Sequence, residues 1–141
     1  MYYEMLEAAL RSLILNHSYL LESGLCERCI SHQLAVEIKR QEMDNLDVDV
    51  EYNRVKLEGF DLAKTGIKGN RVFPDVVIHK RGRKDFNKCA IELKIYKKNH
   101  SVCKSDVAKL REYKSMLGYE NSYFISLTRE VGDKRFVITT I

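Results

Sequence analysis

Val72-Phe73-Pro74-Asp75-Val76-Val77-Ile78 and, after a turn, Lys88-Cys89-Ala90-Ile91-Glu92-Leu93-Lys94-Ile95 each read as a short buried strand with charge inside it. In the second run, a strand's period of two sets Cys89, Ile91, Leu93 and Ile95 on one face and Ala90, Glu92 and Lys94 on the other. A carboxylate and an ammonium therefore project side by side. In the first run, Asp75 follows a proline that withholds a ladder donor and marks an edge or a bend, which aims the side chain out of the sheet. Three ionisable groups on neighbouring strands need partners, because a buried charge left alone is costly unless it is neutralised, paired or bound to a metal.

The surrounding chain bounds the answer. Its 141 residues make one domain, 1–141, enough to bury about two thirds of the extended chain's surface around a single core. With 45% hydrophobic and 31% charged residues the composition is that of an ordinary globular protein. Lys and Arg outnumber Asp and Glu by 24 to 20, a mild basic excess compatible with a nucleic-acid partner and with an ordinary surface alike. No apolar run approaches a membrane span, and Met1-Tyr2-Tyr3-Glu4 has no basic region ahead of an apolar one, so the expectation is a cytoplasmic protein without membrane partners. Its four cysteines are expected to be reduced. Cys26 and Cys29 form a CxxC, the spacing of zinc and redox sites. The pair falls inside a helical pattern, however, and Cys89 and Cys103 lack the matching spacing, so Cys29 and Cys89 are taken as small core residues.

Helical spacing of Met5, Leu6, Ala9, Leu10, Leu13 and Ile14 predicts a helix from Tyr2 to about Leu15, packed by that stripe, with Tyr2 and Tyr3 as the alternative contact for a dimer. Ser23 is placed to cap a second helix from about Gly24 to Met43. On it, Ile30, Leu34 and Ile38 form the apolar stripe, and one step back along that stripe lies Glu27, an inward-facing acid near the helix start. An acid there suits the helix dipole, or it joins the Asp75 and Glu92 cluster. Asp47 to Arg54 alternates as a half-buried strand with an exposed acidic face, and Leu57 to Asn70, with three glycines, reads as a loop. Basic segments, His79 to Lys84 and Tyr96 to His100, are expected to flank the charged strands. A third helix spans Asp106 to Leu117, with Val107, Leu110, Tyr113 and Leu117 inward, a basic outer face that includes Lys109, and Gly118 as its stop. Strands at Ser122 to Thr128 and Arg135 to Thr140 close the chain. The order is two helices, three strands, a helix and two strands.

Pro74-Asp75, sixteen residues, then Glu92-Leu93-Lys94 resembles the signature of the PD-(D/E)XK superfamily, the restriction-endonuclease-like phosphodiesterases. The likeness runs on, in order, through the segment from Cys26 to Ala35, the Val50 to Arg54 strand end, Pro74 to Gly82, Ile91 to Lys94 and the helix bearing Asp106, Lys109 and Leu110. Over about residues 20 to 128 the chain is similar to a group of small stand-alone bacterial members, mostly without assigned roles. The resemblance implies an α/β fold with a mixed central sheet of about five strands and helices on both faces. It implies Glu27 as the first-helix acid, Asp75 and Glu92 as the strand acids, and Lys94 as the lysine.

Asp75, Glu92 and the Leu93 carbonyl are hard oxygen ligands suited to Mg²⁺ or Mn²⁺, with Glu27 assisting at a second ion or a bound water. The expected activity is hydrolysis of nucleic-acid phosphodiester bonds, with DNA as the first substrate and RNA as the second; cutting both strands of a duplex calls for a homodimer. Three alternatives stand beside it. The same fold serves as a non-cleaving nucleic-acid-binding or protein-interaction module; or Glu92 and Lys94 are a structural ion pair in a metal-free protein; or Cys26 and Cys29 hold zinc.

Overall fold

The computed structural model describes residues 1–41, 45–52, 54–57, 60–63 and 74–141, with 54–57 and 60–63 described as backbone only. Helix α1 spans Tyr2–Glu22 and buries Leu6, Ala9, Leu10 and Leu13 on the predicted stripe. It continues well past the expected end near Asn16, with a break at His17 (φ −135°, ψ 28°) that redirects its last turns so that Leu21 is also buried. Tertiary contacts hold that break in place: a ring nitrogen of His17 lies 3.1 Å from Gln33 Nε2 and 3.2 Å from Glu37 Oε1, both on the next helix. Ser23 closes α1 through its backbone N–H to the Tyr19 carbonyl, 2.9 Å, and does not start α2 as expected. Tyr2 is buried in the core, which leaves only Tyr3 exposed for a dimer contact.

Helix α2 covers Glu27–Lys39, with Cys26 at its N-cap. It begins later than Gly24, since Gly24 takes a left-handed φ of +76° that turns the chain between the helices. The expected end at Met43 lies outside the described residues. Ile30, Leu34 and Ile38 are fully buried as the stripe requires. Glu37, 1% exposed, is held by Ser12 Oγ at 2.8 Å and Arg40 at 2.9 Å, a polar lock between α1 and α2 inside an otherwise apolar seam.

Among the described residues seven strands follow in chain order, β1 (Asp47–Val50), β2 (Arg54–Leu57), β3 (Phe60–Ala63), β4 (Val76–His79), β5 (Cys89–Tyr96), β6 (Asn121–Thr128) and β7 (Phe136–Thr140), with α3 (Lys104–Leu117) between β5 and β6. Five of them form one sheet in the order β1-β4-β5-β6-β7. The β5–β6 pair is parallel and the other three are antiparallel, because only β5 and β6 are joined by a helical crossover. Strands β2 and β3 pair antiparallel in a separate hairpin. Two expectations change here. The single strand from Asp47 to Arg54 is broken at Glu51, whose φ of +50° ends β1, and the loop read from Leu57 begins instead as the hairpin, while 64–70 lie outside the described residues. The two hairpin strands stand two residues apart in sequence.

Alternation along the strands sorts the core into two layers. Val76, Ile78, Cys89, Ile91 and Leu93 face α1 and α2, while Val77, Ala90 and Phe124 face Leu110, Tyr113 and Leu117 of α3. Helices thus cover both faces of a mixed five-stranded sheet, an α/β architecture. Helix α3 stops at Gly118, φ +71°, as the sequence indicates, and Asn87 Nδ2 donates to the Leu117 carbonyl at 2.8 Å. Among the described residues no helix is long and apolar enough to cross a membrane.

Ile91 is fully buried at the centre of this arrangement and Leu15 is 83% exposed. Ile91→Ala is expected to lower the unfolding free energy in a urea titration by about 2–5 kcal/mol. Leu15→Ala should stay within about 0.5 kcal/mol of the wild type.

Candidate functional site

Strand β5 is buried from Cys89 through Leu93 and only partly buried from Lys94 onward. The candidate site lies where it leaves the core. Asp75 stands immediately before β4, between buried Pro74 and Val76, and its Oδ2 accepts the Leu93 amide at 2.9 Å. Since Val76 pairs with Ile91 in the antiparallel ladder, the residue before Val76 falls level with Glu92, and the two carboxyl groups stand close enough to shift each other's titration. Glu92 is 3% exposed, and its Oε1 accepts from the Tyr113 hydroxyl of α3 at 2.8 Å.

Two carboxylates in contact and shielded from water do not both ionise. Burial first, then the charge of Asp75, pushes Glu92 up to about 9, and burial also raises Asp75. At neutral pH the pair therefore retains a proton. Tyr113 is raised as well, by burial and by Glu92, and stays a donor.

Lys94 and Glu27 meet across the opening, Nζ to Oε1 at 3.7 Å, each about two fifths exposed. Glu27 is the first residue of α2, and it is raised by burial against the pull of Lys94, with Asp75 and Asp106 adding to the rise. What brings α2 here is Arg129, just past β6, whose guanidinium donates to the carbonyls of Leu21 at 3.0 Å and Leu25 at 2.6 Å and so ties the α1–α2 turn to the sheet end. Glu27, Asp75, Glu92, Leu93 and Lys94, all predicted, line one cleft of about 680 Å³.

Two further residues of the cleft were named within the resemblance and given no role at the site. Asp106, 9% exposed, sits in the first turn of α3 and is joined by Lys109 Nζ at 3.2 Å. Lys109 was assigned to an outer basic face; instead the charges of Glu92, Asp106 and Asp75 act on it and hold its ammonium form against burial. The signal was present, since Asp106, Lys109, Leu110 and Tyr113 share one helical stripe at spacings of three and four. Tyr113 was read as inward, but its hydroxyl as a support for Glu92 was not foreseen.

The basic segments divide. Tyr96 to His100 follows Lys94 at the same sheet end. His79 to Lys84 begins at the other end of β4, about 13 Å from Asp75 by strand rise, and does not line the cleft. Its charges are also engaged: Arg81 pairs with Asp49, and Arg83 with Asp85 at 2.7 Å. Asp49 thereby departs from the exposed acidic face expected of β1, because it also lies 2.8 Å from the buried His79 ring.

As a place for a divalent cation, the pair of Asp75 and Glu92 fits by its donors: two hard carboxylates side by side, retaining a proton that a cation would replace. Mg²⁺ is commonly bound through one or two carboxylates, with water and substrate oxygens completing its shell. Glu27 faces Lys94 and not this pair, and the contact that Leu93 makes with Asp75 is through its N–H. Among the described residues no group of three or more His, Cys, Asp or Glu side chains is placed to share one metal ion. No protein-family model, curated protein or solved structure matches this chain.

A raised carboxyl makes the folded state bind a proton that the unfolded chain releases, so between the ordinary glutamate value and about 9 stability falls as pH rises, with a limiting slope of about 1.4 kcal/mol per pH unit. Glu92→Gln keeps the shape without the titration. Its unfolding free energy is expected to exceed that of the wild type above neutral pH and to converge on it towards pH about 4–5, as urea titrations across pH would show.

Proposed function

We propose that this protein is a Mg²⁺- or Mn²⁺-dependent phosphodiesterase that hydrolyses nucleic-acid phosphodiester bonds, acting on DNA as an endonuclease. The observation that carries the reading is the Asp75–Glu92 carboxyl pair, set level by the β4–β5 register and lining one open cleft together with Lys94 and Lys109. The likeness of Pro74-Asp75 and Glu92-Leu93-Lys94 to the PD-(D/E)XK signature points the same way. So does the order of α2, β1, β4, β5, α3 and β6 around the cleft, a helix, three sheet strands, a helix and a strand.

Asp75 and Glu92 would hold the cation, which when bound supplies Lewis acidity to a phosphate and to a water. The Leu93 amide and the Tyr113 hydroxyl fix the two carboxyl groups, so little reorganisation is needed when the shared proton leaves. Lys94 offers its ammonium to the charge that grows on phosphate oxygens during displacement, and Glu27 keeps that ammonium over the cleft. Lys109, oriented by Asp106, brings a second positive charge to the same wall. A site that only bound nucleic acid would gain nothing from buried carboxylates, since they repel phosphate; this weighs against the non-cleaving module.

Purified protein incubated with Mn²⁺ is expected to nick or linearise supercoiled plasmid. Asp75→Asn, Glu92→Gln and Lys94→Ala should each lose about 100-fold or more in rate. Mn²⁺ is further expected to raise the melting temperature of the wild type and not that of Asp75→Asn, a readout independent of turnover. A wild type inert towards plasmid, linear duplex, single-stranded DNA and RNA in both metals, or a fully active Glu92→Gln, overturns the assignment.

A further inference from the structure

Cys26 is the N-cap of α2 and Cys29 lies in its first turn, and their sulfurs stand 3.7 Å apart. Both side chains are exposed, whereas Cys89 is buried. Exposure sets the pair apart from ordinary cysteine packing, since an unmodified cysteine is among the residues most often buried. Positions three apart at a helix start place their Cα atoms at about 5 Å, inside the range that a disulfide spans. The sulfurs face each other already, so closure needs rotation of side chains and not movement of the helix. A structural zinc ion needs four ligands, and among the described residues no third His, Cys, Asp or Glu joins the two thiols.

We infer that Cys26 and Cys29 form a reversible dithiol–disulfide centre that exchanges two electrons with low-molecular-weight disulfides. One cysteine thiolate attacks a sulfur of the external disulfide, a mixed disulfide forms, and one thiolate of the external molecule leaves. The second cysteine, as thiolate, then attacks the protein sulfur of that mixed disulfide; the intramolecular bond forms and the second external thiolate leaves. The two protein sulfurs are oxidised, the external disulfide is reduced to two thiols, and the two protons given up by the cysteines pass to those thiols through solvent. The centre belongs to the cleft by position, because Cys26 lines it and Glu27, the partner of Lys94, lies between the two cysteines. It stands independently of the phosphodiesterase reading, since its readout is covalent.

The test equilibrates the folded wild-type chain near neutral pH with graded mixtures of reduced and oxidised glutathione, traps free thiols by alkylation and reads intact mass and peptide maps. The expected product has lost two hydrogens, carries a Cys26–Cys29 link and reverts with dithiothreitol, while Cys89 and Cys103 remain alkylatable after denaturation. Because the fold holds the sulfurs together, closure is expected to be at least about tenfold more favourable in the folded chain than in urea, a difference of about 30 mV in midpoint potential. Cys29→Ser, altered at an exposed position, should accumulate a glutathione adduct on Cys26 that the wild type does not retain. Persistent glutathione adducts on both cysteines of the folded wild type, thiols that stay reduced throughout, or a closure equilibrium no better than in urea overturns the inference.

Discussion

Two carboxyl groups set level across one ladder, Glu92 buried and Asp75 partly so, are the constraint on which this structure turns. Asp75 and Glu92 repel one another as anions, and the protein meets that cost by retaining a proton and by bringing donors from two directions, the Leu93 amide along the strand and the Tyr113 hydroxyl from α3. A chain selected for stability alone would replace such a pair with apolar side chains of the same shape at little loss. Its presence in an open cleft is what supports the phosphodiesterase proposal, in which a bound cation would take the place of the proton.

The rest of the fold can be understood as what holds that pair in contact. The antiparallel β4–β5 ladder sets the register that levels Asp75 with Glu92, and the apolar layers on both faces of the sheet deny the pair its water. Helix α2 is delivered to the cleft from outside the sheet: Arg129 clamps the turn before it, and Glu37 locks its far half to α1 through Ser12. Glu27 and Lys94 then meet at the cleft, each too exposed for their ion pair to stabilise the fold by much. The interior thus fixes position, while the rim residues Glu27 and Lys94 stay partly exposed.

Some of the places where the reading of the sequence went wrong depend on distances that only the folded chain sets. The helix α1 was ended too early because the residues around His17 break the helical pattern locally, and only Gln33 and Glu37 explain why it resumes. Lys109 looked like one of several surface lysines until Asp106 and Glu92 gave it a direction. Asp49 looked like part of a solvated acidic face until His79 and Arg81 met it across the sheet. The basic turn after β4 looked adjacent to Asp75 in sequence, but a strand separates its ends in space, and four residues of β4 carry it to the opposite end of the sheet.

By itself the sequence determined the alternation that makes β4 and β5 strands, the stripes that make α1, α2 and α3 helices, the stop at Gly118, and the residue types of Glu27, Asp75, Glu92 and Lys94. These are properties of short windows, set by the periods of strand and helix, which need no knowledge of neighbours. Only the tertiary structure decided that the four charged groups share one cleft, that Glu27 faces Lys94 and not the carboxyl pair, and that Tyr113 and Lys109 belong to the site. Charge, burial and hydrogen bonding depend on distance through space, and elements as far apart as α2, β5 and α3 acquire their distances only when the sheet has been packed on both faces.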